Sequence, residues 1–259
     1  MMKPYRTLPI ILFAASLLSC TVKEDRDVCP CWLDIDLSGC GRFTDMVSLK
    51  GWSSGNGVLG ENVYRADYEQ LYEAEVPRGQ ISYCASSELK TSLQSGMSVI
   101  IPEGEQSDRL YAYRADVITL GETAFDKVRL HKQFAAVTMK FEDESNDNHI
   151  VIRSGWNGMD LTTLKPIKGS FSFTPEANEE RIWYFRLPRQ GDANIWMDVT
   201  TVRTGRTETF DLGGLIARTG YDWTAEDLDD IYIGIDYATA DITVTILPWK
   251  EGSSYNEIQ

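Results

Sequence analysis

Cysteine and carboxylate are the residue types with the most chemistry to offer in this 259-residue sequence. The pair Cys29-Pro30-Cys31 could form half of a metal site. The only histidines, His131 and His149, do not stand at zinc-ligand spacing from each other or from the cysteines. No metal site is therefore expected. The acidic pairs Asp34/Asp36 and Asp229/Asp230 could bind calcium or act as a glycosidase dyad. Such residues are more commonly the wet side of a strand or turn, and that is the reading adopted. No Gly-rich phosphate loop precedes a Lys-Ser/Thr pair. With two histidines, acid–base schemes are poorly supplied, so no catalytic residue and no cofactor are expected. Cys29, Cys31, Cys40 and Cys84 are candidate disulfide partners, which allow three connectivities. In an extended strand Cys29 and Cys31 lie about 6.6 Å apart on one side, near the limit of disulfide geometry. A bond between them is the least favoured, and two arrangements stay open.

The fifth cysteine, Cys20, has a different setting. Lys3 and Arg6 precede an eleven-residue apolar run, Leu8 to Leu18, which ends in Leu17-Leu18-Ser19-Cys20. That run is shorter than the roughly 20 residues a membrane-spanning helix needs, and it reads as a cleaved export signal covering residues 1–19. A small residue before a cysteine, with leucine three before it, resembles a bacterial lipoprotein signal. Cys20 is then the acylated first residue of the mature chain. Each buried acyl CH₂ contributes about 0.8 kcal/mol of membrane affinity.

Removal of residues 1–19 leaves 259 − 19 = 240 residues with a side-chain charge of (25 − 2) − 39 = −16. That balance disfavours nucleic acid and anionic lipid headgroups as partners. Seven Trp, twelve Tyr and nine Phe argue for packed cores. Trp183-Tyr184-Phe185 is the densest aromatic cluster. An exposed coplanar pair, such as Trp183 with Tyr184 or Trp196, would suit sugar stacking, although sheet faces absorb aromatics routinely.

The elements that would position these residues are mostly strands. Leu33, Ile35 and Leu37 alternate with Asp34 and Asp36. Val137, Met139 and Phe141 alternate in the same way, as do Ile195, Met197 and Val199. Ile231, Ile233, Ile235 and Tyr237 share one face; Ile242, Val244 and Ile246 share another, up to Pro248. The pattern predicts helical turns only over Leu212 to Arg218 and over Thr224 to Leu228, the second capped by Thr224. Gly51 to Gly60 reads as a mobile loop, Pro77-Arg78-Gly79 as a tight turn, and Glu103 to Asp108 and Glu142 to Asn148 as exposed polar loops. Two halves of similar strand density predict an all-β chain of two antiparallel β-sandwich domains. They divide as a linker at 20–29, a first sandwich at 30–130 and a second at 131–259. The strand Asp241 to Leu247 could close its own sandwich or offer an edge to a neighbouring chain, through Ile242, Val244 and Ile246.

The segment from Cys20 to Leu33, with Lys23-Glu24-Asp25 and Cys29-Pro30 within it, resembles the start of FimB/Mfa-type fimbrial subunits of Bacteroidales. Val76 to Tyr83 resembles that family's turn-then-strand, and Asp241 to Lys250 its C-terminal strand ending in tryptophan. The resemblance extends over nearly the whole mature chain. It implies two tandem transthyretin-like sandwiches and a non-enzymatic, membrane-anchored subunit of a type V pilus, with other fimbrial subunits as partners. Lys23-Glu24-Asp25 resembles a signal that sends lipoproteins to the cell surface, so the expected location is the outer membrane, held by acyl chains on Cys20. Cys31, Cys40 and Cys84 do not map onto the family pattern. Arg26 is a basic candidate for proteolytic processing, but cleavage there would release the lipid from an anchor. The rival expectation is a surface glycan-binding lipoprotein; a third is a lipid-anchored hydrolase with converging acids in a cleft.

Overall fold

The computed structural model describes residues 29–141, 148–236 and 241–250. Cys20, Lys23, Glu24, Asp25, Arg26, the polar turn at 142–147 and Tyr237 lie outside these segments.

The first half builds two facing sheets. The strand β1 (Cys31–Asp36) lies between β4 (Leu71–Val76), to which it is antiparallel, and β9 (Thr123–Lys127), to which it is parallel. Opposite it are β2 (Met46–Ser53), β3 (Asn56–Tyr64), β5 (Gln80–Ser87), β8 (Tyr111–Ile118) and β10 (His131–Lys132), in the order β10-β8-β5-β2-β3. Alternation dictates the inner face. Cys31, Leu33 and Ile35 are buried with Val47, Leu49, Ile81 and Tyr83, while Trp32, Asp34 and Asp36 face out.

The second half repeats this wiring. Its central strand β11 (Phe134–Phe141) lies between antiparallel β14 (Ile182–Pro188) and parallel β17 (Asp230–Asp236), with β18 (Asp241–Leu247) added beyond β17. The facing sheet holds β12 (Asn148–Asp160), β13 (Lys165–Phe173), β15 (Ile195–Thr201) and β16 (Arg206–Phe210). The pairs β2–β3, β2–β5 and β5–β8 correspond to β12–β13, β12–β15 and β15–β16. The core here gathers Val137, Met139, Ile152, Met197, Ile231 and Ile233. Each sandwich is thus mainly antiparallel, with one parallel neighbour beside its central strand.

The two halves do not separate cleanly at residue 130. The hairpin β6 (Leu93–Ser95) and β7 (Ser98–Ile100) leaves the first half and pairs with β12 in the second sheet. In return Trp249, just past β18, packs into the first core, with its ring 6.4 Å from Phe43. Asp108 anchors the crossing. It is 5 % exposed, and its carboxylate accepts hydrogen bonds from the backbone N–H groups of Lys90, Thr91 and Ser92. The end of the expected exposed loop Glu103 to Asp108 is therefore buried.

Gly51 to Gly60 is a hairpin, not a loop: Ser54 and Gly55 have φ of 49° and 82°, the left-handed pair that a two-residue turn between twisted strands requires. The helix α1 (Leu212–Arg218) forms as expected, with the Asp211 carboxylate accepting from Gly214 N–H at 2.8 Å. Thr224 to Leu228 forms turns, not a helix. The Thr224 hydroxyl donates to Asp222 instead of capping, and the Asp227 carboxylate is engaged by the Lys132 N–H and by His131 Nδ1.

Candidate functional site

The described chain begins where a tether to Cys20 would attach. The Cys29 carbonyl accepts a hydrogen bond from Arg78 Nε at 2.8 Å, and the same guanidinium donates to the Leu120 carbonyl at 3.2 Å. Thr119 is fully buried beneath it and donates its hydroxyl to the Pro77 carbonyl at 2.9 Å. Thr119 and Gly79 also exchange backbone hydrogen bonds. The expected tight turn Pro77-Arg78-Gly79 is thus a crossover between sheets that also holds the root of the N-terminal segment. The sequence pattern shows the turn but gives no sign of the part played by Arg78.

Strand edges form the second feature. The side chains of Ile242, Val244 and Ile246 are half-buried against the second core, and Thr243 and Thr245 face solvent. The strand β18 pairs with β17 on one side and has no strand partner on the other among the described residues. In the first sandwich β9 occupies the place of β17, but no described strand covers its outer edge. The neighbouring edge of β8 is covered by β10 only at Tyr111 and Ala112. Between these open edges is a cleft of about 390 Å³, lined by Tyr113, Ala115, Val117, Ala124 and Asp126 among others. Inside it Asp126 accepts hydrogen bonds from the hydroxyls of Tyr83, at 2.7 Å, and Tyr113, at 3.1 Å. Burial and the adjacent carboxylate push the Tyr113 phenol up to about 12 and move Tyr83 in the same direction. Both hydroxyls therefore stay protonated and act as donors.

Three of the four described cysteines are shielded from reagents. Cys29, Cys31, Cys40 and Cys84 are free thiols in this structure. The last three are fully buried, and burial raises all three, Cys40 to about 12 and Cys84 to about 11. No group of three or more His, Cys, Asp or Glu side chains is placed to hold a metal among the described residues.

Three of the four paired acids are occupied structurally. Asp36 pairs with Lys127 at 2.7 Å, Asp229 accepts from the Trp249 N–H at 2.8 Å, and Asp230 pairs with Lys132. Gly51-Trp52-Ser53-Ser54-Gly55 has the Gly-x-Ser-x-Gly spacing, but it lies on the β2–β3 hairpin, not on a strand-to-helix elbow. The His131 ring faces Asp227, 3.1 Å away. The expected aromatic platform does not form as drawn. Trp183 is buried against Phe141, whereas Tyr184 and Trp196 point away from opposite faces of the sandwich.

No family model matches the chain, and no curated protein matches it. Solved structures do. The fimbrial anchor protein Mfa2 from Porphyromonas gingivalis aligns with a TM-score of 0.61 and 12% identity, over 85% of this chain and 98% of that one. A proposed polysaccharide-binding protein from Bacteroides thetaiotaomicron aligns at 0.62 and 14% identity, over 86% and 99%. A proposed adhesin from Bacteroides ovatus aligns at 0.61 and 12% identity, over 87% and 96%. The chain has the fold of these proteins. They are fimbrial, adhesin and binding proteins, not enzymes.

Proposed function

We propose that this chain is a lipid-anchored fimbrial subunit that attaches a fibre to the outer membrane and helps set its assembly or length. The observation that carries the reading is the unequal repeat: β17 is covered by β18, while among the described residues the equivalent edge of β9 is open beside a cleft. A fibre needs such edges, because a neighbouring chain can add main-chain hydrogen bonds there and insert alternate side chains. The likeness to the fimbrial anchor Mfa2 supports the same reading. The lipobox ending at Cys20 supports the membrane tether, and Lys23-Glu24-Asp25 supports surface export. Ile242, Val244 and Ile246 on β18 are the proposed strand-mediated contact.

The test uses cells carrying Cys20→Ala, followed by surface labelling and by imaging of fibres in the medium. Loss of the protein from the membrane, with long fibres shed, is expected. Loss of the protein with normal, cell-attached fibres overturns the anchor role.

Glycan binding is the second reading, favoured by a different aromatic pair. Trp32 and Phe125, 48 % and 61 % exposed, are diagonal neighbours on the outer face of the β4-β1-β9 sheet. Trp32→Ala and Phe125→Ala tested for lost retention on a polysaccharide column would decide it.

A further inference from the structure

Among the described residues Lys132 is the one lysine whose side chain is almost fully enclosed, 2 % exposed, and Asp230, 98 residues further on, is its ion-pair partner. The lysine lies on β10, which is hydrogen-bonded to the first sandwich; the aspartate opens β17 in the second. The Phe134 ring closes over Nζ, 4.8 Å from its centroid. Backbone contacts fix both residues. The Lys132 N–H donates to Asp227, and the Leu228 N–H donates to the Lys132 carbonyl at 3.1 Å. The Ala136 N–H donates to Asp230 Oδ1, also at 3.1 Å.

We propose that Lys132 and Asp230 condense to an intramolecular isopeptide bond across the junction of the two sandwiches. Two charges enclosed together carry a large desolvation cost. Transfer of one proton from Nζ to the carboxylate leaves an amine facing a carboxylic acid. The Nζ lone pair attacks Cγ of Asp230, and the Ala136 N–H supports the charge that develops on Oδ1. The C–N bond forms, the C–OH bond breaks, and the hydroxyl leaves as water with a second proton from Nζ. Nothing is oxidised or reduced. The product fits the surroundings already present. A secondary amide has one N–H, which the Leu228 carbonyl 3.0 Å from Nζ accepts, and one carbonyl oxygen, which the Ala136 N–H already serves. The bond would make the junction covalent, whatever the chain attaches to.

Peptide mass analysis of the purified full chain tests this. Trypsin cuts after Arg129, Lys140, Arg218 and Lys250. The expected product is one branched species joining residues 130–140, uncut at Lys132, to residues 219–250, lighter than their sum by one water. The branch should vanish in Lys132→Arg, which keeps the charge. In Asp230→Asn the leaving group becomes ammonia, so an unchanged branched product is expected. Three separate linear peptides from the wild-type chain, 130–132, 133–140 and 219–250, overturn the proposal and leave a buried ion pair only. Water loss that persists in Lys132→Arg places a dehydration elsewhere and overturns it equally.

Discussion

Arg189 is the side chain whose loss should most damage the junction. It is 6 % exposed, and its guanidinium donates to Gln133 Oε1 at 3.0 Å, to the Trp223 carbonyl at 2.6 Å and to the Glu226 carbonyl at 3.1 Å. In Arg189→Met the stem volume is largely kept, so little cavity cost arises. The Glu226 carbonyl retains Gln133 Nε2 at 3.4 Å. The Trp223 carbonyl and Gln133 Oε1 are left without their donor. Each orphaned buried acceptor costs about 1–3 kcal/mol. Relief of the guanidinium's desolvation offsets part of the total. The net expectation is about 3 kcal/mol of destabilisation. With a urea m-value of about 3 kcal/mol/M for a chain of this size, the midpoint should fall by about 1 M. Tryptophan fluorescence can follow it, and amide exchange near Trp223 should accelerate in the native state. A midpoint shift below about 0.2 M, with unchanged exchange, would refute the reasoning and mean that water replaces the guanidinium at no cost.

Asp36 is held down at about 2 by hydrogen bonds from Lys127 and Ser38. Its folded value lies below the ordinary 3.8, so its contribution is present above that value and disappears as the pH falls towards about 2. Asp36→Asn should flatten the dependence of Tm on pH in that window, and an unaltered curve would contradict the pairing. Thiol labelling of the native chain should modify Cys29 rapidly, and Cys31, Cys40 and Cys84 only on unfolding. Fast modification of any buried thiol would count against this packing. A Cβ at Gly213 would sit 1.8 Å from the Ala193 carbonyl oxygen, so Gly213→Ala should lower stability by about 1–3 kcal/mol, read by urea titration. A neutral result would mean that the loop before β15 gives way freely.

The strand cores were legible because each inner face carries its own alternation. Leu33 with Ile35, Val137 with Met139, and Ile231 with Ile233 are all buried where period two places them. The end of β18 was legible, since Pro248 stops the ladder after Leu247. What escaped is set by distant partners. Leu93-Gln94-Ser95 has no apolar period of its own, and only its pairing through β7 with β12 assigns it to the second sheet. The glycines and serines of 51–60 read as a loop because residues that permit positive φ occur in loops and hairpin turns alike. Thr224 read as a cap because its partner Asp222 competes through a contact that spacing does not reveal. The open edge of β9 has no sequence signature at all, because it is defined by the lack of a strand partner among the described residues.

The exchange of segments between the halves also sets an order of events during synthesis. The hairpin at 93–100 leaves the ribosome about 50 residues before β12, the strand that will receive it. Trp249 comes near the end, yet it packs beside Phe43, made more than 200 residues earlier. Neither half can reach its final form while the other is still being made. The chain is therefore suited to close in one late step, after both halves have been made.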